Sequence, residues 1–194
     1  ASNTITISNF SRGVRLLFGD LVITSNNGNQ VVQRLQAMAE DADATGKLKL
    51  TALRKVMLEH TYRQRLNYIC AKVKGISTPT DTLPSITVLA KATSQLEAKQ
   101  ITEQFKAQTH KHKHLILVMP AKNKDTDNQQ ITYLTNKQSK SKTIKDVIEN
   151  ATWIASMSPK DYYGSNYLLD IAIASQYSVA DLIGKAAFFQ TKGT

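Results

Sequence analysis

The stretch "SITVLAKATSQLEAKQITEQFKAQTHKHKHLILVM", Ser85 to Met119, decides the fold. Its opening, "SITVLAKA", is β-branched and apolar and reads as a strand. "SQLEAKQITEQFKAQT" then reads as a helix, with Leu96, Ile101 and Phe105 expected to form its apolar face. "HLILVMP" follows as a continuous apolar run, the pattern of a strand buried on both faces. Strands separated by helices of roughly ten to fifteen residues build a mostly parallel sheet with helices on both faces.

The alternation continues downstream. "QQITYLT" reads as a strand, "SKTIKDVIENA" as a short helix, "TWIASM" as a strand and "GSNYLLDIAIASQY" as a helix. "ADLIGKAAFFQ", Ala180 to Gln190, is expected to close as a strand. In a parallel sheet the binding crevice lies beyond the carboxyl ends of the strands. The turn Ser158-Pro159-Lys160-Asp161 follows a strand and so occupies such a position.

Upstream, "TITIS" (Thr4 to Ser8) and "LVITS" (Leu21 to Ser25) are short strands. Between them Val14, Leu17 and Phe18 mark a helix that Gly19 stops. "SNNGNQVVQRLQAMAED" opens with turn and cap residues and carries Val31, Val32, Leu35 and Met38 at helical spacing. One long helix is expected from about Lys47 to Val73, with a stripe of Leu50, Leu53, Val56, Met57, His60, Leu66, Ile69 and Cys70. Tyr62 shares a face with Leu66 and is expected to pack inward. Gly75 ends the helix. "ISTPTDTLP", residues 76–84, is linker by composition and divides 1–75 from 85–194. The fold class is therefore α/β.

Composition narrows the function classes. The chain has 194 residues, 41% apolar content and a formal net charge of +10. No run approaches the roughly 18 apolar residues of a membrane span. The opening "ASNTITISNF" has neither the charged nor the apolar region of a signal peptide. Cys70 is the single cysteine, which leaves no disulfide framework and no thiolate metal cage and fits a reducing, cytoplasmic setting. Much of the positive charge lies between Lys106 and Lys145, near only Phe105 and Tyr133. Recognition of unpaired bases adds aromatic side chains to basic ones. Those lysines are read as a solvated face, and nucleic acid is not an expected partner.

Three further groups need weighing. His110, His112 and His114 would share one face of an extended segment and could bind Zn²⁺ or Ni²⁺. The intervening Lys111 and Lys113 oppose a cation, so no metal site is expected. His60 reads as a packing residue. Of Tyr162 and Tyr163, at least one is expected in the core, and either is a stacking surface for a sugar or base. There is no G-x-S-x-G, no P-loop and no Cys/His pair to support hydrolase or kinase chemistry.

The order of these pieces resembles a known family. "PSITVLAKATSQLEAKQITEQFKAQTHKHKHLILVM" and "NATWIASMSPKDYYGSNYLLDIAIA", with the block that runs on to "ADLIGKAAFF", are similar to the first half of a family-2 glycosyltransferase of the GT-A type. "FGDLVITSNNGNQVVQRLQAM" and "ALRKVMLEHTYRQRLNYI" resemble the closing part of a group-1, GT-B-type glycosyltransferase. The resemblance implies a Rossmann-like GT-B remnant over 1–75 and a partial GT-A sheet over 85–194, joined as in two-headed enzymes of the bacterial cell envelope. The chain is then expected to be a fragment of a larger polypeptide. The implied activity is sugar transfer from a nucleotide sugar to an envelope polysaccharide or teichoic-acid-like acceptor, in the cytoplasm, with the inner face of the membrane as an alternative place. The alternative is a catalytically silent scaffold or an anionic-glycan-binding module.

The resemblance also implies a site. Ala90, Lys91, Thr93, Lys160 and Asp161 fall where the family binds its nucleotide sugar. An intact member holds Mn²⁺ or Mg²⁺ on an acidic D-x-D run, because hard oxygen ligands suit a cation that neutralises the leaving diphosphate. Here that run falls on Ser158, Pro159, Lys160 and Asp161, and only Asp161 keeps a carboxylate. Lys160 could itself face a diphosphate; the other reading makes it a solvated turn residue. Where the family ends its second strand in an aspartate, this chain reads Met119-Pro120-Ala121. No metal is expected in this chain, and no catalytic residue is assigned.

Overall fold

The computed structural model describes residues 4–74, 83–120, 130–148 and 151–185. The chain divides into two compact units, Ala1–Asp81 and Thr82–Thr194. The linker expected over 76–84 lies outside the described residues except for its last two positions.

In the first unit, strands β1 (Thr6–Ser8) and β2 (Val22–Thr24) pair in parallel, Ile7 opposite Ile23. Helix α1 (Arg12–Phe18) connects them. Ser11 starts α1 by accepting the Val14 N–H on its hydroxyl, and Gly19 ends it at φ 57°, a left-handed conformation that favours glycine. Helices α2 (Gly28–Glu40) and α3 (Ala42–Glu59) follow, capped by the side chains of Asn27 and Asp41. Among the described residues of this unit, Ile23 is the one large apolar side chain that is buried. The unit therefore has a small core.

The single long helix expected from Lys47 to Val73 is two helices. Helix α3 stops at Glu59 and α4 runs from Tyr62 to Lys74. The physical cause is a capping box. The Thr61 hydroxyl accepts the Gln64 N–H at 3.3 Å, and Gln64 Oε1 accepts the Thr61 N–H at 2.8 Å. Those two bonds compete with continuation of the helix. Gln64 Nε2 also donates to the Leu58 carbonyl, which the end of α3 leaves without an intrahelical partner. The His60 ring packs against Phe18 at 4.9 Å between centroids. Tyr62 shares a face with Leu66, but it points outward: it is 89% exposed.

The second unit contains β3 (Ile86–Lys91), α5 (Gln95–Lys106), β4 (Lys113–Met119), β5 (Ile131–Thr135), α6 (Asn136–Lys140), α7 (Ile144–Ile148), β6 (Trp153–Met157) and α8 (Tyr167–Ala174). The sheet order is β5-β4-β3-β6 and every pair is parallel. Val88 stands opposite Leu115 on one side and Ala155 on the other. The α/β class with a parallel sheet flanked by helices is thus the fold observed.

Period-two alternation sorts the side chains. Ile86, Val88, Ala90, Leu115, Leu117 and Met157 belong to one buried cluster with Ala98, Ile101 and Phe105 of α5 and Leu168, Ile171 and Ala172 of α8. Leu96, expected on the buried face of α5, is 67% exposed: it precedes Phe105 by nine residues, about 180° round the helix, whereas Ala98 precedes it by seven and shares the buried face. On the other sheet face Thr87, Ile116 and Leu134 are buried, whereas Ile154 on the outer strand β6 is exposed. The closing strand expected over 180–190 does not form across 180–185. There Ile183 packs against the core cluster and Lys185 pairs with Asp170 of α8, which draws the chain along α8. Residues 186–190 lie outside the described residues.

Candidate site at the carboxyl ends of β3 and β6

The chain leaves β3 for β4 and β5 on one side, then crosses to place β6 on the other side of β3. The connections therefore diverge at the β3–β6 boundary, the switch point where parallel α/β sheets hold ligands. Ala90 pairs with Met157, so Lys91–Thr93 and Ser158–Asp161 emerge side by side at one sheet edge. All five residues that the sequence assigned to a site reach this edge. Ala90 contributes backbone only, since its side chain belongs to the core. Lys91, Thr93, Lys160 and Asp161 are exposed.

Thr93 and Glu97 are locked together. The Glu97 carboxylate accepts the Thr93 N–H at 2.6 Å and the Thr93 hydroxyl at 2.7 Å. The Thr93 N–H, then its hydroxyl, hold the Glu97 carboxyl below the usual carboxylate range, and the charge of Lys160 adds to the effect. Lys160 therefore lies within electrostatic reach of the Glu97 carboxylate. At this edge Lys91 and Lys160 are balanced by Glu97 and Asp161.

The turn after β6 is held from both ends. The Ser158 N–H donates to the Tyr163 hydroxyl at 3.0 Å, and the Lys160 N–H donates to Ser158 Oγ at 3.2 Å. Burial raises the Tyr163 pKa, and nearby Asp161 pushes the same way against the Ser158 N–H. Tyr163 packs against Tyr167 at 5.0 Å between ring centroids, while Tyr162 is exposed. Gln104 of α5 bonds to both Asp161 and Tyr163. Gln108, one turn on, donates to the Gly164 carbonyl at 3.0 Å and accepts the Leu168 N–H at 3.1 Å. These two glutamines fix the turn against the sheet edge. They and Glu97 were not singled out in the sequence; the T-S-x-x-E cap of α5 was a signal for Glu97 alone.

The edge can present cations, hydroxyls and backbone N–H groups to a polar ligand. It does not present a pair of carboxylates on the turn, because Ser158 is a hydroxyl, Pro159 has no N–H and Lys160 is a cation. Among the described residues no group of three or more His, Cys, Asp or Glu side chains converges as a metal site.

The histidines do not converge either. The extended segment begins at Lys113, so His110 and His112 precede the strand and only His114 lies in it. His110 is buried, with Nε2 at 3.0 Å from the Pro84 carbonyl. His114 Nε2 is 3.0 Å from the Thr132 hydroxyl. A cavity of about 420 Å³ opens beside them at the amino ends of the strands, lined by Thr87, His112, His114, Lys142 and Asp146 among others. It lies at the sheet end opposite the switch point. Its carboxylate, Asp146, is engaged by the Thr143 N–H and hydroxyl, each at 2.7 Å.

No protein-family model matches this chain, and no curated protein matches it.

Proposed function

We propose that the second unit is a glycosyltransferase-like nucleotide-sugar module with a degenerate metal motif, part of an enzyme lineage that transfers sugar to a cell-envelope polysaccharide or teichoic-acid-like acceptor on the cytoplasmic side. One observation carries the reading. The residues assigned by resemblance, Lys91, Thr93, Lys160 and Asp161, lie together at the carboxyl edge of β3 and β6, where the order β5-β4-β3-β6 creates a switch point. A site there receives a diphosphate through Lys160 and Lys91 and through backbone N–H groups, without a metal. The turn is held by Gln104 and Tyr163, so its groups are positioned before a ligand arrives.

A second reading has its own support. Glu97 and Asp161 match the charges of Lys91 and Lys160 at this edge, and Glu97 lies within electrostatic reach of Lys160, which favours a catalytically silent scaffold or an anionic-glycan-binding module over a donor site. Saturation-transfer NMR with UDP-sugars and with a teichoic-acid fragment separates the two. Nucleotide-sugar binding that survives chelation of metal and weakens at least tenfold in Lys160→Ala supports the first. Glycan binding with no nucleotide binding supports the second and sinks the first.

A further inference from the structure

Helix α4 carries an apolar stripe that nothing among the described residues of its unit covers. At about 100° per residue, Tyr62, Leu66, Ile69 and Val73 fall within roughly 60° of one another on the helix surface. All four are exposed, by 89%, 60%, 53% and 76%. The orientation is fixed from the far side. Gln64, on the opposite face, donates to the Leu58 carbonyl and joins the capping box with Thr61. The stripe therefore faces away from the end of α3.

The flanks say what the stripe fits. Arg63 borders it on one side and Arg65 and Lys72 on the other, and no Asp or Glu occurs anywhere between Tyr62 and Lys74. An apolar band with cations along both borders matches a surface that is apolar in depth and anionic on top, which is the construction of a bilayer rich in anionic lipid. A second copy of the chain fits poorly. Stripe-to-stripe pairing would bring Arg65 and Lys72 against their own counterparts with no acidic residue to offset them. A nucleic acid would meet the cations and leave the stripe in water.

We propose that α4 docks the first unit on an anionic membrane surface, Tyr62, Leu66, Ile69 and Val73 entering the interface while Arg65 and Lys72 contact lipid phosphates. No helix among the described residues is long and apolar enough to cross a membrane, so the contact lies in the plane of the surface. The inference is independent of the proposed sugar site, and either can fail alone.

Cys70 supplies the reporter. It is the single cysteine, is exposed, and sits at the edge of the stripe. An environment-sensitive fluorophore on Cys70 of the whole chain is titrated with vesicles of phosphatidylcholine alone or with about a quarter phosphatidylglycerol. The expected result is a blue shift and protection from an aqueous quencher with the anionic vesicles only, weakened by salt. Leu66→Glu with Ile69→Glu should lower binding, read by flotation of unlabelled protein, at least tenfold. Arg65→Gln and Lys72→Gln should each lower it by about fivefold. All four positions are exposed, and unchanged circular dichroism confirms that the variants fold. Absence of vesicle binding overturns the proposal. So does binding that the double glutamate variant retains, which would assign it to the overall charge. A dimer in sedimentation that the double variant abolishes would also overturn it, giving the stripe to a second copy.

Discussion

Gln104 holds Tyr163 by its backbone: Oε1 accepts the Tyr163 N–H at 3.0 Å, while Nε2 of the same amide donates to the Asp161 carbonyl at 3.0 Å. One side chain thus closes both ends of the segment that carries Asp161, Tyr162 and Tyr163. Gln108 repeats the arrangement on Gly164 and Leu168, deeper in the structure, since Gln108 and Leu168 are both buried.

Burial depth ranks the two glutamines. Gln104→Ala frees groups that water can reach, and is expected to cost about 1 kcal/mol. Gln108→Ala strands the Leu168 N–H in the core and is expected to cost about 2 to 3 kcal/mol. Urea denaturation of both variants is the measurement. Equal costs, or a larger one for Gln104, would contradict the placement of Gln108 between α5 and the start of α8.

Helix α5 has a register that mutation can read. Phe105 is fully buried, and Phe105→Ala is expected to cost about 3 to 5 kcal/mol. Leu96 is 67% exposed, and Leu96→Ala should stay within about 0.5 kcal/mol of the parent. A large loss at Leu96 would contradict the register that turns Ala98, Ile101 and Phe105 toward the core.

How much of this was legible follows from what each signal encodes. Strand β4 is spelled by an apolar run, and its position beside β3 follows from the helix between them. The switch-point turn was placed by the same logic, since a polar turn after an apolar strand in a parallel sheet lies at the carboxyl edge. Tyr62 was misread for a specific reason. Helical spacing tells which residues share a face, but it does not tell whether anything covers that face. The break at His60 was written in the sequence as Thr61-x-x-Gln64, a cap signal outweighed by the longer apolar pattern around it. Gln104 and Gln108 left no signal of their own. Their partners lie about sixty residues away, and only the folded chain brings them within bonding distance.

His110 makes stability depend on pH. Burial is the main reason that its pKa lies below 6.5, with the charges of His112 and Lys113 acting the same way and the Pro84 and His112 backbones opposing them. Its Nδ1 is buried and lacks a partner within hydrogen-bond geometry among the described residues. In the unfolded chain His110 binds a proton at its ordinary pKa, while the folded chain resists until a lower pH. The unfolded state therefore holds more protons in that window, and stability falls as pH drops below about 6.5. Thermal melts between about pH 7.5 and 5.5 should show a declining Tm, and His110→Gln should flatten the decline. Parallel profiles for parent and variant would exclude His110 as the source.

The last prediction concerns the turn itself. A carboxylate pair binds Mn²⁺ because two oxygens converge on one hard cation. In Ser158-Pro159-Lys160-Asp161 the second carboxylate is replaced by a cation, which leaves Asp161 as the one acidic side chain of the turn. A lysine at the expected ion position repels the metal, although its exposure lets solvent and salt reduce that repulsion. Titration calorimetry of the whole chain with Mn²⁺ should therefore give no binding at the turn, with or without a UDP-sugar, and the chain alone should transfer no sugar. Ser158→Asp with Lys160→Asp adds two carboxylates beside Asp161 and removes the opposing charge, and this variant should acquire Mn²⁺ binding that Asp161→Ala weakens. Micromolar, metal-dependent binding by the parent, lost on Asp161→Ala, would show that a single carboxylate suffices here and that the site is intact.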